Sequence, residues 1–154
     1  MIKFDPKTRK LFEDIDRSKV RVWALTNAYR LHAERVLRIL RLDDLIDGLV
    51  YCDYEVRDFS CKPEPEFYQL AMKKANILDP SKCYFVDDSR GNVDGARAQG
   101  WAKCAHFCEK GLESVEGGRT KEIIHEKGVK EVDGVDVVTT LDELRGVWPE
   151  IFKN

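Results

Sequence analysis

The sequence predicts an α/β fold in three layers, with a mostly parallel sheet between helices. Three observations lead there. Short apolar runs alternate with stretches of helical spacing along most of the chain, the pattern of strand–helix–strand units. The runs at Val20–Leu25 and Cys83–Val86 are largely apolar rather than alternating, as expected of internal strands covered on both faces. Both stop abruptly in polar groups, Thr26-Asn27 and Asp87-Asp88, and the carboxyl ends of parallel strands face the ligand crevice. A chain of 154 residues is long enough to bury a real core as one domain, here residues 1–154.

Taken in order, Asp5-Pro6 is an N-cap followed by proline at the first helical position, opening a helix to about Phe12 or Glu13. Asp14-Ile15-Asp16-Arg17-Ser18 connects it to the Val20–Leu25 strand. A helix over about Tyr29 to Arg41 follows, with Leu31, Val36, Leu37 and Leu40 as the inner stripe and arginines outside. Leu49-Val50-Tyr51 is a short strand, and Cys52 to Ser60 a polar loop. Lys62-Pro63-Glu64-Pro65-Glu66 opens a helix through Phe67, Leu70 and Ala71 towards Asn76; its prolines and acids suit a first turn. Lys62 does not suit it, because a helix N-terminus disfavours positive charge; either something anionic lies nearby or the lysine is an exposed loop residue. Cys83–Val86 is a buried strand, and after a tight turn Val93, Ala96 and Gly100 recur at roughly helical spacing. Ala102–Phe107 is a further strand. From Cys108 to Gly134 the pattern is weak, with a helix expected over Arg119 to Lys127. Val135–Val138 is a last strand, Thr140 caps a helix from Leu141, and Trp148 and Phe152 anchor the tail.

Composition narrows the function classes. A net charge of −2 gives no reason to expect nucleic acid or a membrane surface as partner. No apolar run approaches a membrane span and the N-terminus lacks a signal-peptide pattern, so the expected location is cytoplasmic, with nuclear as the variant. Five cysteines, an odd number without zinc-type CxxC pairing, point to free thiols in a reducing compartment. His32, His106 and His125 are dispersed and are assigned no catalytic role. Trp23, Trp101 and Trp148 read as core or anchor residues rather than a base-stacking platform.

The polar groups at the strand ends carry the chemistry. Two adjacent carboxylates fixed at a strand end repel unless a cation or a proton lies between them, and hard oxygen ligands suit magnesium better than zinc. The competing reading is structural: Asp88 or Ser89 as helix N-cap, with a spare solvated acid. A hydroxyl (Thr26), an amide (Asn27) and backbone N–H groups can hold phosphate oxygens. A lysine (Lys62) can neutralise charge on a transferring phosphoryl group. All three segments fall on the carboxyl side of the expected sheet, where one crevice can collect them.

In this order the residues resemble the second, third and fourth motifs of the haloacid dehalogenase (HAD) superfamily of phosphatases. Leu25-Thr26-Asn27-Ala28-Tyr29, His32-Ala33, Arg35-Val36-Leu37, Asp47-Gly48, Tyr51-Cys52-Asp53-Tyr54, Cys61-Lys62-Pro63 and Phe85-Val86-Asp87-Asp88-Ser89 are similar to the fungal and plant branch related to pyrimidine 5′-nucleotidases. The resemblance covers about Asp5 to Phe107. It implies a three-layer Rossmann-like core and a Mg2+-dependent phosphomonoester hydrolase acting on a phosphorylated small molecule, here a nucleoside monophosphate, through an aspartyl-phosphate. By position, Thr26 would bind a phosphate oxygen with Asn27 assisting, and Lys62 would link phosphate and nucleophile. Asp88 would coordinate magnesium with Asp87 close behind, and Asn92 and Ser89 would support the metal loop. A phosphoacceptor receiver domain uses similar residues, but there the acids come first and the lysine last.

The family's first motif, an apolar strand ending in Asp-x-Asp, has no good counterpart. Asp14-Ile15-Asp16-Arg17-Ser18 has the letters but follows a polar helix, and only Lys19 separates it from the next strand, too little for a parallel crossover. It reads as a connecting turn. The family's N-terminal strand and its cap are therefore expected upstream of Met1 or missing. In the family that strand lies between the Thr26 strand and the Asp87-Asp88 strand. Its loss leaves three outcomes: the two strands close up, a partner chain or swapped strand fills the position, or the gene product is longer. The alternative function is a catalytically inactive HAD-like scaffold or subunit of a larger assembly.

Overall fold

The structure, a computed structural model, describes residues 1–109, 114–116, 119–121 and 130–154. Helix α1 (Pro6–Glu13) starts on Asp5, whose carboxylate accepts from the N–H groups of Lys7 and Thr8. Strand β1 (Trp23–Leu25) leads to helix α2 (Arg30–Leu40), which stops where Arg41 turns left-handed at φ 55°. Strand β2 (Gly48–Val50) and helix α3 (Pro65–Lys74) follow, then β3 (Tyr84–Asp87), α4 (Arg90–Ala98) and β4 (Lys103–Phe107). Strands β5 (Ser114–Glu116) and β6 (Arg119–Lys121) pair as an antiparallel ribbon. Strands β7 (Lys130–Val132) and β8 (Val135–Val138) precede a one-turn helix α5 (Leu144–Val147).

The three layers form because side chains alternate across the strands. Phe85 and Cys104 point into a core under α3 and α4 with Phe67, Tyr68, Val93 and Trp101. Tyr84, Val86 and Ala105 point the other way, into a core of Leu11, Leu144, Trp148 and Phe152 under α1 and the C-terminal tail. In the first core, Tyr68, Phe85 and Trp101 meet edge to face. No helix among the described residues is long and apolar enough to cross a membrane.

The sheet is not continuous. Strands β1 and β2 pair in parallel as one two-stranded sheet, and β3-β4-β8-β7 form another, parallel except for β7. Between β1 and β3 runs a cleft of about 790 Å³, walled by Trp23, Ala24 and Leu25 on one side and Tyr84, Phe85 and Val86 on the other. Of the three outcomes expected for these strands, closing up is not what is seen: among the described strands each keeps one unpaired edge along the cleft.

Other differences have local causes. The expected strand from Val20 shrinks to Trp23–Leu25, since pairing with β2 covers only Trp23↔Gly48 to Leu25↔Val50. Leu31 is 64% exposed, and the stripe facing inward is Ala33, Val36, Leu37 and Leu40, which share true i, i+3, i+4, i+7 spacing. Arg119–Lys121 is a strand, not the start of a helix; the rest of that expected helix, 122–129, lies outside the described residues. Thr140 sits at the cap position but makes no capping bond; Thr139 instead bonds Glu143 through both N–H (2.8 Å) and hydroxyl (3.0 Å). The Asp14–Ser18 segment is a turn, with Ile15 bridged to Phe152 and Asp16 accepting from the Ser18 hydroxyl at 2.6 Å. Asp14 pairs with Lys10 and with Arg145 (3.0 Å).

Candidate functional site

At the carboxyl end of β1, Thr26 N–H donates to Val50 O at 2.9 Å and prolongs the pairing with β2 by one residue. Its hydroxyl oxygen accepts from Ala28 N–H at 3.0 Å, which turns the chain out of the sheet. Asn27 then reaches across to the loop before α3. Its amide nitrogen donates to Lys62 O (3.0 Å) and its amide oxygen accepts from Lys62 N–H (2.8 Å), a two-point clamp on the backbone of one residue.

Held that way, Lys62 turns its ammonium inward. Nζ donates to Leu25 O at 2.9 Å and to Asp87 Oδ2 at 2.5 Å, and the two charged side chains are only 7% and 6% exposed. Of the two readings of this lysine, an anion nearby and an exposed loop residue, the structure shows the first, and the anion is Asp87. The other oxygen of that carboxylate accepts from Ser89 N–H (2.8 Å) and Asn92 Nδ2 (3.1 Å). A buried carboxylate with three donors is a satisfied group.

Asp88 is the acid left open. Its residue is exposed, while partial burial of the carboxyl, followed by the charge of Asp87 and a hydrogen bond with it, pushes its pKa above the ordinary aspartate value. The backbone here is braced by His106, 3% exposed, whose Nε2 lies 3.1 Å from Asp88 O. Ser89 is the N-cap of α4, accepting from Asn92 N–H at 3.3 Å. The capping role and the open acid coexist: Ser89 takes the first, Asp88 the second.

A second tier locks these pieces together. Tyr68 of α3 donates its hydroxyl to Asn92 O at 2.6 Å. Burial, then the Asp87 charge, raises its pKa, so it remains a donor. Gly95 lets α4 approach closely, because a Cβ there would stand 2.9 Å from both Pro63 Cβ and the Tyr68 hydroxyl and 3.0 Å from Pro63 O.

Of the residues singled out in the sequence, Asn27, Lys62, Asp87, Ser89 and Asn92 are joined in one hydrogen-bonded network, with Thr26 and Asp88 as its chain neighbours. His106, Tyr68 and Gly95 were missed. His106 sits in an apolar strand, Tyr68 in a helix of ordinary amphipathic pattern, and Gly95 in the middle of a helix. The glycine was the one available signal, since glycine inside a helix costs stability unless something lies close.

The donor set for a cation is the Asp87-Asp88 pair. Among the described residues no group of three or more His, Cys, Asp or Glu is placed to hold a metal ion. The pair fits a hard, oxygen-seeking cation in the chemistry of its donors, two adjacent carboxylates, and additional oxygens would have to come from water or a ligand.

Known proteins resemble this chain in sequence and fold. Phosphate metabolism protein 8 of Saccharomyces cerevisiae is 33% identical over 115 residues, covering 70% of this chain and 36% of that protein. A HAD phosphatase from Thermococcus onnurineus superposes with a TM-score of 0.66 at 20% identity, covering 93% of this chain and 57% of its own. A HAD family enzyme from Bacteroides thetaiotaomicron, a variant in complex with magnesium and inorganic phosphate, gives a TM-score of 0.51 at 26% identity over 66% of this chain and 51% of its own. This chain thus spans about a third of the yeast relative's length and somewhat over half of the two solved chains. A family model described as haloacid dehalogenase-like hydrolase matches residues 1–100, covering the two-stranded sheet, the Lys62 loop, β3 and α4. On that match, the chain belongs to the haloacid dehalogenase-like hydrolases.

Proposed function

We propose that this chain carries the phosphate- and metal-holding part of a magnesium-dependent phosphomonoester hydrolase of the 5′-nucleotidase type. In this reading the attacking aspartate arrives on an apolar strand that fills the cleft between β1 and β3. One observation carries it: the Lys62 ammonium, almost fully buried, bridges the carboxyl ends of the two strands that border the cleft. A strand inserted there would bring its own carboxyl end beside that ammonium.

The residues divide the work as follows. Thr26 and Asn27 present a hydroxyl, an amide and N–H groups to phosphate oxygens on the rim of β1. Lys62 neutralises charge on the phosphoryl group and the attacking carboxylate as it moves away from Asp87 alone. Asp88, with Asp87 behind it, would hold magnesium, which supplies charge neutralisation for a phosphoryl group. Asn92 and Ser89 keep the Asp87 carboxylate in place. The substrate is a phosphorylated small molecule, with a nucleoside 5′-monophosphate favoured by the motif resemblance described above. The Asp14-x-Asp16 pair takes no part, both carboxylates being engaged in a turn tied to the C-terminal tail.

An inactive scaffold is the second reading. It is favoured by the closure of Lys62 on Asp87, a pair complete without a ligand. Titration of the 154-residue chain with orthophosphate, in the presence and absence of magnesium, separates the two. The hydrolase reading expects magnesium-dependent binding that Lys62→Ala and Asp88→Ala each abolish. Absence of binding, or equal binding by both variants, would sink it.

A further inference from the structure

We propose that Cys52 and Cys61 form a reversible thiol–disulfide site beneath the Asn27–Lys62 clamp. All five cysteines are free thiols, yet these two sulfurs stand 2.6 Å apart. That is only about 0.5 Å longer than a disulfide bond. Cys52 follows β2 and is fully buried; Cys61 is half-buried and immediately precedes Lys62. The loop between them is exposed over Tyr54–Phe59 and folds back on itself, with the Tyr54 and Phe59 rings 4.6 Å apart and the Tyr54 hydroxyl donating to Asn27 O at 2.9 Å. The two thiols are therefore held together by the fold and a hydrogen bond, without a covalent bond between them.

The geometry assigns the roles. Burial, then the hydrogen bond with Cys61, pushes the Cys52 thiol up to about 12, so Cys52 stays protonated and shielded. Cys61, nearer the surface, attacks a peroxide: its sulfur takes one oxygen to become a sulfenic acid, and the other leaves as water. The Cys52 sulfur then attacks the Cys61 sulfur, forming the S–S bond. The sulfenic hydroxyl leaves as water with the Cys52 proton. Two thiols lose two electrons and two hydrogens, and one peroxide becomes two waters. A dithiol reductant reverses the step by exchange.

The bond would join the end of β2 covalently to the residue before Lys62, whose N–H and C=O are already fixed by Asn27. Its effect on ligand binding rests on the phosphate role proposed for Lys62; the bond itself does not.

The test uses the whole chain, reduced and then exposed under native conditions to a small excess of hydrogen peroxide. Remaining thiols are alkylated after unfolding and the chain is digested with trypsin, which cuts at Arg57 between the two cysteines. The expected result is alkylation of Cys83, Cys104 and Cys108 only, with the Cys52 and Cys61 peptides joined until a reductant is added. Five alkylated cysteines, joined peptides that include Cys83, Cys104 or Cys108, or Cys61 over-oxidised beside a free Cys52 would each overturn the proposal. Cys61→Ser is expected to leave its remaining four thiols alkylatable; a pair still lost in that variant would also overturn it. Orthophosphate titration of the reduced and oxidised forms is expected to differ several-fold in affinity. Equal affinities would refute the coupling to Lys62. Binding by neither form counts against the hydrolase reading, and leaves the peptide map to decide the disulfide.

Discussion

Replacing Lys62 by Met tests the centre of the site most directly. The change keeps much of the aliphatic stem and removes the ammonium that bonds Leu25 O and Asp87. Removing one partner of a buried ion pair commonly costs about 3–5 kcal/mol, because the other charge stays buried. Asp87 would retain its bonds from Ser89 N–H and Asn92, which places the expected loss near the lower end, about 3 kcal/mol. With a urea slope of about 2 kcal/mol per molar, the unfolding midpoint should fall by about 1.5 M. Adding Asp87→Asn to Lys62→Met removes the stranded charge and should return about half of that loss. A double-mutant cycle in urea reads both quantities. A single-variant loss below about 1 kcal/mol, or strictly additive losses, would refute the view that this pair is buried and interdependent.

Three further outcomes are expected. Gly95→Ala should lower the thermal midpoint by about 4–8 °C, a cost of about 2 kcal/mol, as the new methyl drives α4 away from Pro63 and Tyr68; an unchanged calorimetric midpoint would show that the helices can part freely. Asp88, whose folded pKa lies above the ordinary value of 3.8, makes the folded chain lose stability as pH rises from that value through the folded one; Asp88→Asn should remove this loss, so urea midpoints of the variant should exceed wild type at pH 7 and converge at low pH. Asp5, Asp14, Asp16, Asp44 and Asp79 shift downward and act in the opposite sense, so the difference between the two proteins is the quantity to follow. Finally, the 154-residue polypeptide alone should release no phosphate from nucleoside 5′-monophosphates with magnesium, whereas an added peptide with an apolar strand ending in Asp-x-Asp should bring activity. Turnover by the chain alone, above Lys62→Ala and Asp88→Ala controls, would contradict the need for an inserted strand.

What the sequence revealed were the places where local chemistry conflicts with its surroundings. Lys62 stood out because cations are unfavourable at a helix start, and its partner turned out to be Asp87. Asp87 and Asp88 stood out as paired acids ending an apolar run, although their division into one neutralised and one open acid depends on a residue 25 positions away and could not be read locally. Elements fixed by their own composition, such as the Asp5-capped α1 and the apolar β3, were legible. Elements fixed by a partner were not. Trp23–Leu25 ends where its pairing with β2 ends, and Arg119–Lys121 is a strand because Ser114–Glu116 lies beside it. Leu31 looked like core on hydrophobicity alone, but its position does not fall on the Ala33–Leu40 stripe. His106 carries no catalytic role in the sequence reading, and its contact with the Asp88 backbone across the sheet depends on the strand pairing, which no local pattern announces.

The division of the sheet has a consequence for how the molecule opens. No ladder of main-chain bonds joins β1 and β2 to β3 and β4 among the described residues; side chains under α3 and ion pairs such as Arg17–Asp47 hold the smaller part in place. Cooperativity should break along that line. In native-state amide exchange the N–H groups of Thr26 and Val50, on the β1–β2 seam, should exchange through a sub-global opening well below the free energy of complete unfolding, and those of Phe85 and Ala105 only with the whole chain. An occupant of the cleft would fuse the two units and bring their exchange rates together.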